Sequence, residues 1–294
     1  MKNLEKIILY LGAHKTATTH LQGILHANRE CLAEERIRLS MPSDVRKEWL
    51  PAFFHWCNHK DAESKQTMDR LVPVEGTWLL TEENIAGVSN DFSRLPGMYP
   101  KIDKRLKFLR KAYPDVEMEL FFSLRSYETF YRSAYSEVVR NRGYLPFDEF
   151  YDKERFRSNS WLEMVRRIVQ VIPQERITLW RYEDFRTLVP EILRRMTGVE
   201  NTEAMIAAYH AETTRPSLSQ KTIDILDALH PVLNRHESKK LVERINHAYP
   251  VSEGHAPLRT FTPEQEERFR RQYQEDVEAI RSEFPKINFL RVEE

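Results

Sequence analysis

A short polar segment directly follows an apolar run near the amino terminus. Residues 7–11 are apolar, Gly12 follows, and the next residues read Ala13-His14-Lys15-Thr16-Ala17-Thr18-Thr19 before a helix-like pattern begins. A loop between a strand and a helix presents backbone amides, an ammonium group and hydroxyls to a phosphate. It is not a Walker A loop, because that pattern requires Gly-Lys-Ser/Thr after four intervening residues. The alternative interpretation is an ordinary strand-to-helix turn with threonine caps.

A second polar pair follows another apolar run, at residues 121–124. Arg125 ends this run, Ser126 is a candidate helix N-cap, and Ser133 lies two helical turns later, roughly 10 Å along the axis. A long arginine at the end of the strand and a serine on the helix could hold one phosphate from two sides. The alternative is an arginine at the start of a surface helix and a serine that is there by chance.

A third apolar run ends in two carboxylates, Glu82 and Glu83. A carboxylate near a bound hydroxyl group can accept its proton as the hydroxyl oxygen attacks, since the hydroxyl has a pKa far above 7. Either glutamate, or a histidine, could serve as this base. The structural alternative is that both residues merely begin the next helix, where acidic side chains are favoured.

The first two segments together resemble the nucleotide site of sulfotransferases that use 3′-phosphoadenosine-5′-phosphosulfate (PAPS). Lys15-Thr16-Ala17-Thr18-Thr19 is similar to the family's Lys-Thr/Ser-Gly-Thr-Thr loop, and Arg125 and Ser133 match an arginine and serine of the same spacing. The resemblance implies that residues 13–19 bind the 5′-phosphosulfate, with Lys15 at the bridging oxygen and the hydroxyls of Thr18 and Thr19 on phosphate oxygens. It implies that Arg125 and Ser133 bind the 3′-phosphate. With Thr81 and Glu82 in place of two serines, Glu83 falls on the glutamate of the family's Ser-Ser-Glu strand end, and the resemblance implies that Glu83 is the base, with Glu82 and a histidine as alternatives.

The resemblance extends to residues 179–185, which look like the family's late strand ending in Arg-Tyr-Glu-Asp, but not to the first crossover or to residues 235–294. Ala17 replaces the usual glycine of the loop, and we expect it to be tolerated because the residue is already helical. His20 replaces the tryptophan of cytosolic members, which favours the bacterial or carbohydrate-type branch. His14 resembles the His-Lys-Thr of bacterial members and is a candidate to donate to the phosphosulfate or the acceptor.

Two further histidines, His55 and His59, are spaced like zinc ligands on a helix. No third ligand is evident, so we predict no metal there; a looser hypothesis places both in the acceptor pocket. The aromatic segment around them, residues 49–56, could pack on a sugar ring or a lipid, or belong to the core.

The elements that must position these residues follow from the apolar runs. Four runs, at residues 6–11, 78–81, 117–124 and 176–181, predict strands that alternate with helices, and hence a parallel sheet covered by helices. Helical patterns at 219–233, 236–248 and 263–284 predict a helical carboxyl-terminal part, with Thr262 as a helix N-cap. We therefore expect a three-layer α/β fold of the P-loop type. It would form one domain over residues 1–294, with an α/β nucleotide-binding core at 1–200 and a helical extension at 201–294.

The composition limits the classes of partner. Lys plus Arg equals Asp plus Glu at 45 each, so there is no overall basic footprint for nucleic acid. Cys31 and Cys57 are the only cysteines and have no metal-ligand spacing, which favours two packing residues in a reducing compartment. No run of 18 apolar residues predicts a membrane span, and we expect no signal peptide and a cytoplasmic location.

The sequence thus predicts transfer of a sulfuryl group from PAPS to a hydroxyl or amine, releasing 3′-phosphoadenosine-5′-phosphate (PAP). The acceptor would be a small molecule or a glycan, a carbohydrate or glycolipid among them. No metal is required, because Lys15 already neutralises the leaving phosphate. The alternatives are a Mg²⁺-dependent P-loop kinase or NTPase, which the missing Gly-Lys-Ser/Thr disfavours, and a non-catalytic relative that only binds the nucleotide.

Overall fold

The computed structural model of the chain describes residues 3–88, 97–151, 159–210 and 216–292. Its central sheet has six strands, all parallel, in the order β2-β3-β1-β4-β5-β6. The strands are β1 (Asn3–Tyr10), β2 (Ile37–Ser40), β3 (Glu75–Thr81), β4 (Glu117–Leu124), β5 (Ile177–Arg181) and β6 (Asn288–Leu290). The four predicted strands correspond to β1, β3, β4 and β5.

Sequence analysis missed the two edge strands, β2 and β6. They contain four and three residues, too few for alternation of apolar and polar residues to stand out from chance. β6 pairs with β5, so the carboxyl-terminal part predicted as helical also contributes a strand to the sheet.

Helices connect the strands and cover the sheet. In chain order the α-helices among the described residues are Thr18–Ala27, Arg29–Glu34, Pro42–Val45, Trp49–His59, Ala62–Leu71, Ile102–Ala112, Tyr127–Arg142, Phe147–Phe150, Trp161–Val169, Phe185–Thr197, Thr202–Ala207, Gln220–Leu229, Arg235–Ala248 and Pro263–Glu283. Short 3₁₀ turns lie at Glu83–Ile85, Gln174–Arg176, Tyr182–Asp184 and Val251–Glu253. The last three α-helices are those predicted for the carboxyl-terminal part, and the Thr262 hydroxyl accepts from the Gln265 amide in the predicted cap.

Two apolar cores, one on each face of the sheet, make the fold three-layered. Consecutive residues of β1 alternate between them: Ile7 and Leu9 belong to one core, and Ile8 and Tyr10 to the other. Both faces of a parallel sheet are buried in this way because its crossover helices must lie against them. The predicted α/β class with a central parallel sheet flanked by helices is confirmed.

The two helices that follow the central strands β1 and β4 lie on opposite faces of the sheet. Leu21, Ile24 and Leu25 of the helix after β1 pack into one core, whereas Phe130 and Tyr131 of the helix after β4 pack into the other. The two strands are neighbours, yet their chains leave in opposite directions. This is a topological switch point, where open parallel sheets bind ligands beyond the carboxyl ends of their strands.

Candidate functional site

The loop after β1 has an unusual backbone. Gly12 has a φ of 42°, and a Cβ atom there would lie 2.4 Å from Cγ2 of Thr18. Only glycine lets the loop fold back this closely on the start of the helix. Lys15 has a φ of 67°, which also lies in the left-handed region. The loop is therefore built from local conformations that few residues adopt, as is common where a backbone must approach a ligand.

Ala17 contradicts the expectation that this position is helical. Its φ and ψ are 58° and 26°, a left-handed conformation, and the helix begins only at Thr18. A glycine would take this conformation without steric cost, whereas the methyl group of alanine costs about 1–2 kcal/mol there. Ala17 is thus a strained N-cap without a side chain that can accept a hydrogen bond.

The three threonines of the loop have different surroundings. Thr16 is fully buried, and its hydroxyl donates to the carbonyl of Ala13, which is also fully buried, at 2.6 Å. Thr18 is buried and Thr19 is exposed, both in the first turn of the helix. The Thr16 hydroxyl therefore stabilises the loop itself, while the first-turn threonines remain the candidates for a phosphate contact.

Arg125 and Ser133 lie on the same side of the site as Lys15. The guanidinium of Arg125 donates to the backbone carbonyl of Lys15 in a short hydrogen bond, and its Nε donates to the Thr129 hydroxyl at 3.0 Å. Arg125 and Ser133 line one cleft of about 420 Å³, together with Lys15. The structure thus brings together the two segments that the sequence places more than a hundred residues apart.

We call this space the switch-point cleft, because it lies beyond β1 and β4. Besides the residues above, its walls include Thr129, Arg132, Ser136, Glu137, Arg140, Ser217, Pro257 and Leu258. Pro257 and Leu258 come from the loop 249–261, so that loop contributes to a wall of the cleft. A larger cavity of about 780 Å³ runs along the outer edge of β2 and contains none of the predicted site residues.

Residues after β5, which resemble the family's late strand, hold Arg125 in place. The guanidinium carbon of Arg125 lies 4.4 Å from the ring centroid of Tyr182, a cation–π distance. Glu183 accepts a hydrogen bond from the Ser126 amide at 3.0 Å and so satisfies the start of the Tyr127–Arg142 helix. The indole of Trp161 donates to the Arg125 carbonyl at 2.9 Å. The arginine is therefore fixed through both its backbone and its side chain.

Lys15 has an anionic partner within the cleft. Its Nζ lies 3.3 Å from Oε2 of Glu137, and both side chains are partly exposed. Glu137 is four residues after Ser133 on the same helix and therefore on the same face. Sequence analysis did not identify Glu137, because the residues next to it in the chain give no sign that it contacts Lys15, which follows a different strand.

The end of β3 holds a buried carboxylate, Glu82, whose side chain is fully inaccessible. Arg46 donates to it from Nε at 2.7 Å and from Nη2 at 3.0 Å, and the Asn84 amide donates at 2.9 Å. Burial raises the pKa of Glu82, and the bonds from Arg46 and Asn84 offset part of that rise. Arg46 comes from the first crossover, so sequence analysis had no signal for it.

Glu83, the predicted base, begins a 3₁₀ turn after β3. Its Oε1 lies 3.4 Å from Nη2 of Arg46, while its Oε2 is buried and has no hydrogen-bond partner among the described residues. A buried carboxylate oxygen without a donor is costly, and such groups are characteristic of functional sites. Both glutamates thus pair with Arg46: Glu82 through two hydrogen bonds, and Glu83 through one oxygen at a longer distance.

His14 connects the loop to the β3 side. Its backbone amide donates to the Tyr99 hydroxyl at 2.8 Å; its Nδ1 lies 3.1 Å from the same oxygen, and Nε2 lies 3.4 Å from Oδ1 of Asn84. Burial lowers the pKa of His14, which Glu83 and Glu137 offset only in part. A neutral imidazole held between a hydroxyl and an amide is suited to orient neighbours at pH 7. Tyr99, 85 residues away, was not identified from the sequence.

The remaining candidates lie outside the cleft. The rings of His55 and His59 lie 4.4 Å apart between centroids and are tilted by 32°, and Nδ1 of His55 lies 2.9 Å from Oδ2 of Asp61; neither histidine lines the cleft. In the described ranges no group of three or more His, Cys, Asp or Glu side chains is arranged to hold a metal ion. Trp49 and Phe53 are core residues, and burial raises the pKa of the Cys57 thiol to about 11.

His20, at the position of the family's tryptophan, is partly buried on the first helix. Its ring lies edge-on to Phe185 at 6.0 Å and to Tyr209 at 5.2 Å between centroids. Aromatic rings therefore cluster on this surface of the first helix.

No helix in the described parts of the chain is long and apolar enough to span a bilayer.

Comparisons with known proteins match sulfotransferase structures at low similarity. A sulfotransferase from Alicyclobacillus acidocaldarius is 16% identical over 81% of this chain and 96% of its own, with a TM-score of 0.43. Retinol dehydratase, solved with androsterone and the inactive cofactor PAP, is 11% identical over 99% of this chain and 84% of its own, with a TM-score of 0.36. No protein-family model matches the sequence, and no curated protein is significantly similar to it.

Proposed function

We propose that the protein is a PAPS-dependent sulfotransferase of the bacterial or carbohydrate-type branch, which transfers a sulfuryl group to a hydroxyl or amine of an acceptor. The observation that carries this proposal is the convergence of Lys15, Arg125 and Ser133 on one cleft at the switch point of the sheet. Two cations and a serine from two separate strand ends suit a ligand with two separate phosphate groups.

The residues present fit the donor. The loop amides and Lys15 would hold the 5′-phosphosulfate, and Thr18 and Thr19 would add hydroxyl contacts at the first turn of the helix. Arg125 and Ser133 would hold the 3′-phosphate and so distinguish this nucleotide from ADP. His20, with Tyr209 beside it, would offer a surface to the adenine base.

Transfer forms a bond between the acceptor oxygen or nitrogen and sulfur, and it breaks the bond from sulfur to the bridging oxygen. In our proposal Lys15 stabilises the negative charge that grows on the leaving phosphate, as fixed charges commonly do in group transfer. Glu83 takes the acceptor proton on its Oε2, to which no residue in the described part of the chain donates a hydrogen bond. His14 keeps the loop aligned with Glu83 through Asn84, which follows Glu83 in the chain.

The proposal is tested by calorimetric titration of the purified protein with PAP and, separately, with ADP, both in the presence of EDTA. We expect PAP to bind and ADP to bind at least tenfold more weakly, and Arg125→Ala to remove that preference. Arg181→Ala is the matched control: it also removes an arginine at a strand end, but one that does not line the cleft.

The other possible outcomes distinguish the alternatives. ADP binding that needs Mg²⁺ would overturn the proposal in favour of a kinase or NTPase. PAP binding without turnover of PAPS, in the presence of a broad panel of sugars, phenols, lipids and amines, would indicate a non-catalytic nucleotide-binding protein.

A further inference from the structure

The switch-point cleft contains one carboxylate among the described residues that line it, Glu137. Its Oε2 lies 3.3 Å from Nζ of Lys15, the cation to which the proposed function assigns the phosphosulfate. A carboxylate at this place is unfavourable for an anionic ligand, because like charges at short distance repel each other. Its presence in a wall otherwise made of cations and neutral side chains therefore calls for a physical explanation.

Two other cationic side chains of the cleft have their carboxylate partners outside it, unlike Lys15. Arg132 pairs with Glu266 at 2.6 Å and Arg140 with Glu243 at 3.3 Å, and neither of these glutamates lines the cleft. Those carboxylates therefore pair with the arginines from outside the cleft. Glu137, in contrast, meets Lys15 from within the cleft, so a ligand anion and Glu137 must compete for the same ammonium group.

Glu137 also acts on the β3 side of the site. Its charge raises the pKa of His14 against the larger effect of burial, and that of Tyr99 in the same direction as burial. The charge of Glu137 therefore acts on the loop residue His14 as well as on Lys15, which it contacts directly.

We propose that Glu137 is an internal competitor of the donor for Lys15, so that nucleotide binding exchanges the Lys15–Glu137 ion pair for one between Lys15 and the donor. This inference rests on the proposed function. The exchange lowers the affinity for the nucleotide, because the Lys15–Glu137 ion pair must break before Lys15 can pair with the donor. Glu137 is thus a positioning residue that sets how tightly the donor is held.

The test is calorimetric titration with PAP of four forms: wild type, Glu137→Gln, Lys15→Met and the double variant. Glutamine keeps the shape of the side chain and removes its charge. We expect Glu137→Gln to bind PAP about threefold to tenfold more tightly than wild type, as removal of a partly exposed competing charge allows. The gain should vanish in the Lys15→Met background, because the competition acts through that ammonium group.

Glu163→Gln is the matched control, since it removes one exposed carboxylate that is not part of the cleft; its PAP affinity should equal that of wild type. Thermal melting of each variant checks that it is folded. Wild type that binds PAP, with Glu137→Gln no tighter, would overturn this inference alone. A gain that persists without Lys15 would do the same. Wild type that does not bind PAP would overturn the proposed function, and this inference with it.

Discussion

The two sides of the site differ in how deeply their charged groups are buried. The proposed nucleotide side consists of Lys15, Arg125 and Ser133, which line an open cleft. Lys15 pairs with the Glu137 carboxylate, and Arg125 donates to a backbone carbonyl. A bound anion would replace these partners. On the β3 side the charged group at the centre, Glu82, is fully buried and held by two hydrogen bonds from Arg46.

The difference indicates separate tasks. Cations that remain partly exposed can bind and release an anion without a large change in solvation. A buried ion pair is poorly suited to exchange but well suited to fix geometry, since breaking it leaves an unpaired charge in a low dielectric. Glu83 combines the two kinds of environment: one of its oxygens is near Arg46, and the other has no partner in the described ranges. The β3 side would thus position a proton acceptor next to the proposed anion site.

The largest effect should come from removing the proposed base. Glu83→Gln should lower the rate of sulfuryl transfer about 10²- to 10⁴-fold, because the amide cannot take the acceptor proton. PAP release from PAPS, measured with the acceptor panel, gives the rate, and PAP titration should give an affinity within about twofold of wild type. Glu82→Gln is the control. If Glu82→Gln abolishes transfer while Glu83→Gln does not, the base is Glu82, and the roles assigned to the two glutamates must be exchanged.

The cation on the nucleotide side should have the next largest effect. Lys15→Met should lower the rate at saturating PAPS about 10²- to 10³-fold, as loss of a group that stabilises developing charge does. The control is Lys65→Met, which removes a lysine that pairs with Asp69 within the helix Ala62–Leu71. It should leave the rate unchanged. A Lys15→Met enzyme that loses only affinity, with an unchanged maximal rate, would show that Lys15 binds the donor without stabilising the leaving group.

Arg46→Leu tests the buried pair through stability. It should lower the free energy of unfolding by about 2 kcal/mol at pH 7.5; this is less than for a fully buried pair, because Arg46 is itself 45% exposed. The loss should shrink as the pH falls. Burial raises the pKa of Glu82 above its ordinary value of 4.5, and loss of Arg46 removes a bond that lowers it. The folded variant then takes up a proton at a pH above 4.5, and a neutral carboxyl group costs less to bury.

Urea unfolding at pH 7.5 and pH 5 measures both the loss and its pH dependence. Arg70→Leu is the control, because the Arg70–Glu48 pair is exposed on both sides and should contribute at most about 1 kcal/mol. Equal losses for the two variants, or a loss from Arg46→Leu that grows on acidification, would contradict the assignment of Glu82 as a buried, ion-paired charge.

The smallest effect concerns the backbone of the phosphate loop. Ala17→Gly should raise the free energy of unfolding by about 0.5 kcal/mol, since relief of the left-handed strain exceeds the entropy that glycine adds to the unfolded chain. Ala228→Gly, in an exposed helical position, should lower it by about 0.5–1 kcal/mol. Thermal or urea unfolding should therefore show shifts of opposite sign. Shifts of the same sign would mean that Ala17 is not strained in solution.

Much of the fold and of the nucleotide side could be predicted because the signals are local. The apolar runs of β1, β3, β4 and β5 are long enough to be seen, and Thr262 and Pro263 mark a helix start within a few residues. The loop residues and the Arg125–Ser133 spacing form short patterns as well. Their placement at one cleft followed from the rule that parallel strands bring their carboxyl ends to one edge of the sheet.

Two local predictions failed for local reasons. β2 and β6 are too short to show a period. Ala17 was expected to be helical, but it takes a left-handed conformation in the turn from β1 into the helix. Gly12 lies against Thr18 in the same turn, and such a close approach within a loop has no signal in the residue type of Ala17.

The sequence by itself determined which residues are candidates to bind anions, because loop, strand end and helix face are encoded within a few residues of each other. Only the tertiary structure decided their partners. Arg46 meets Glu82 across 36 residues, His14 meets Tyr99 across 85, and Glu137 meets Lys15 across the switch point. Such pairs form where the chain folds back on itself, and their energies depend on burial and distance, which no single stretch of sequence specifies.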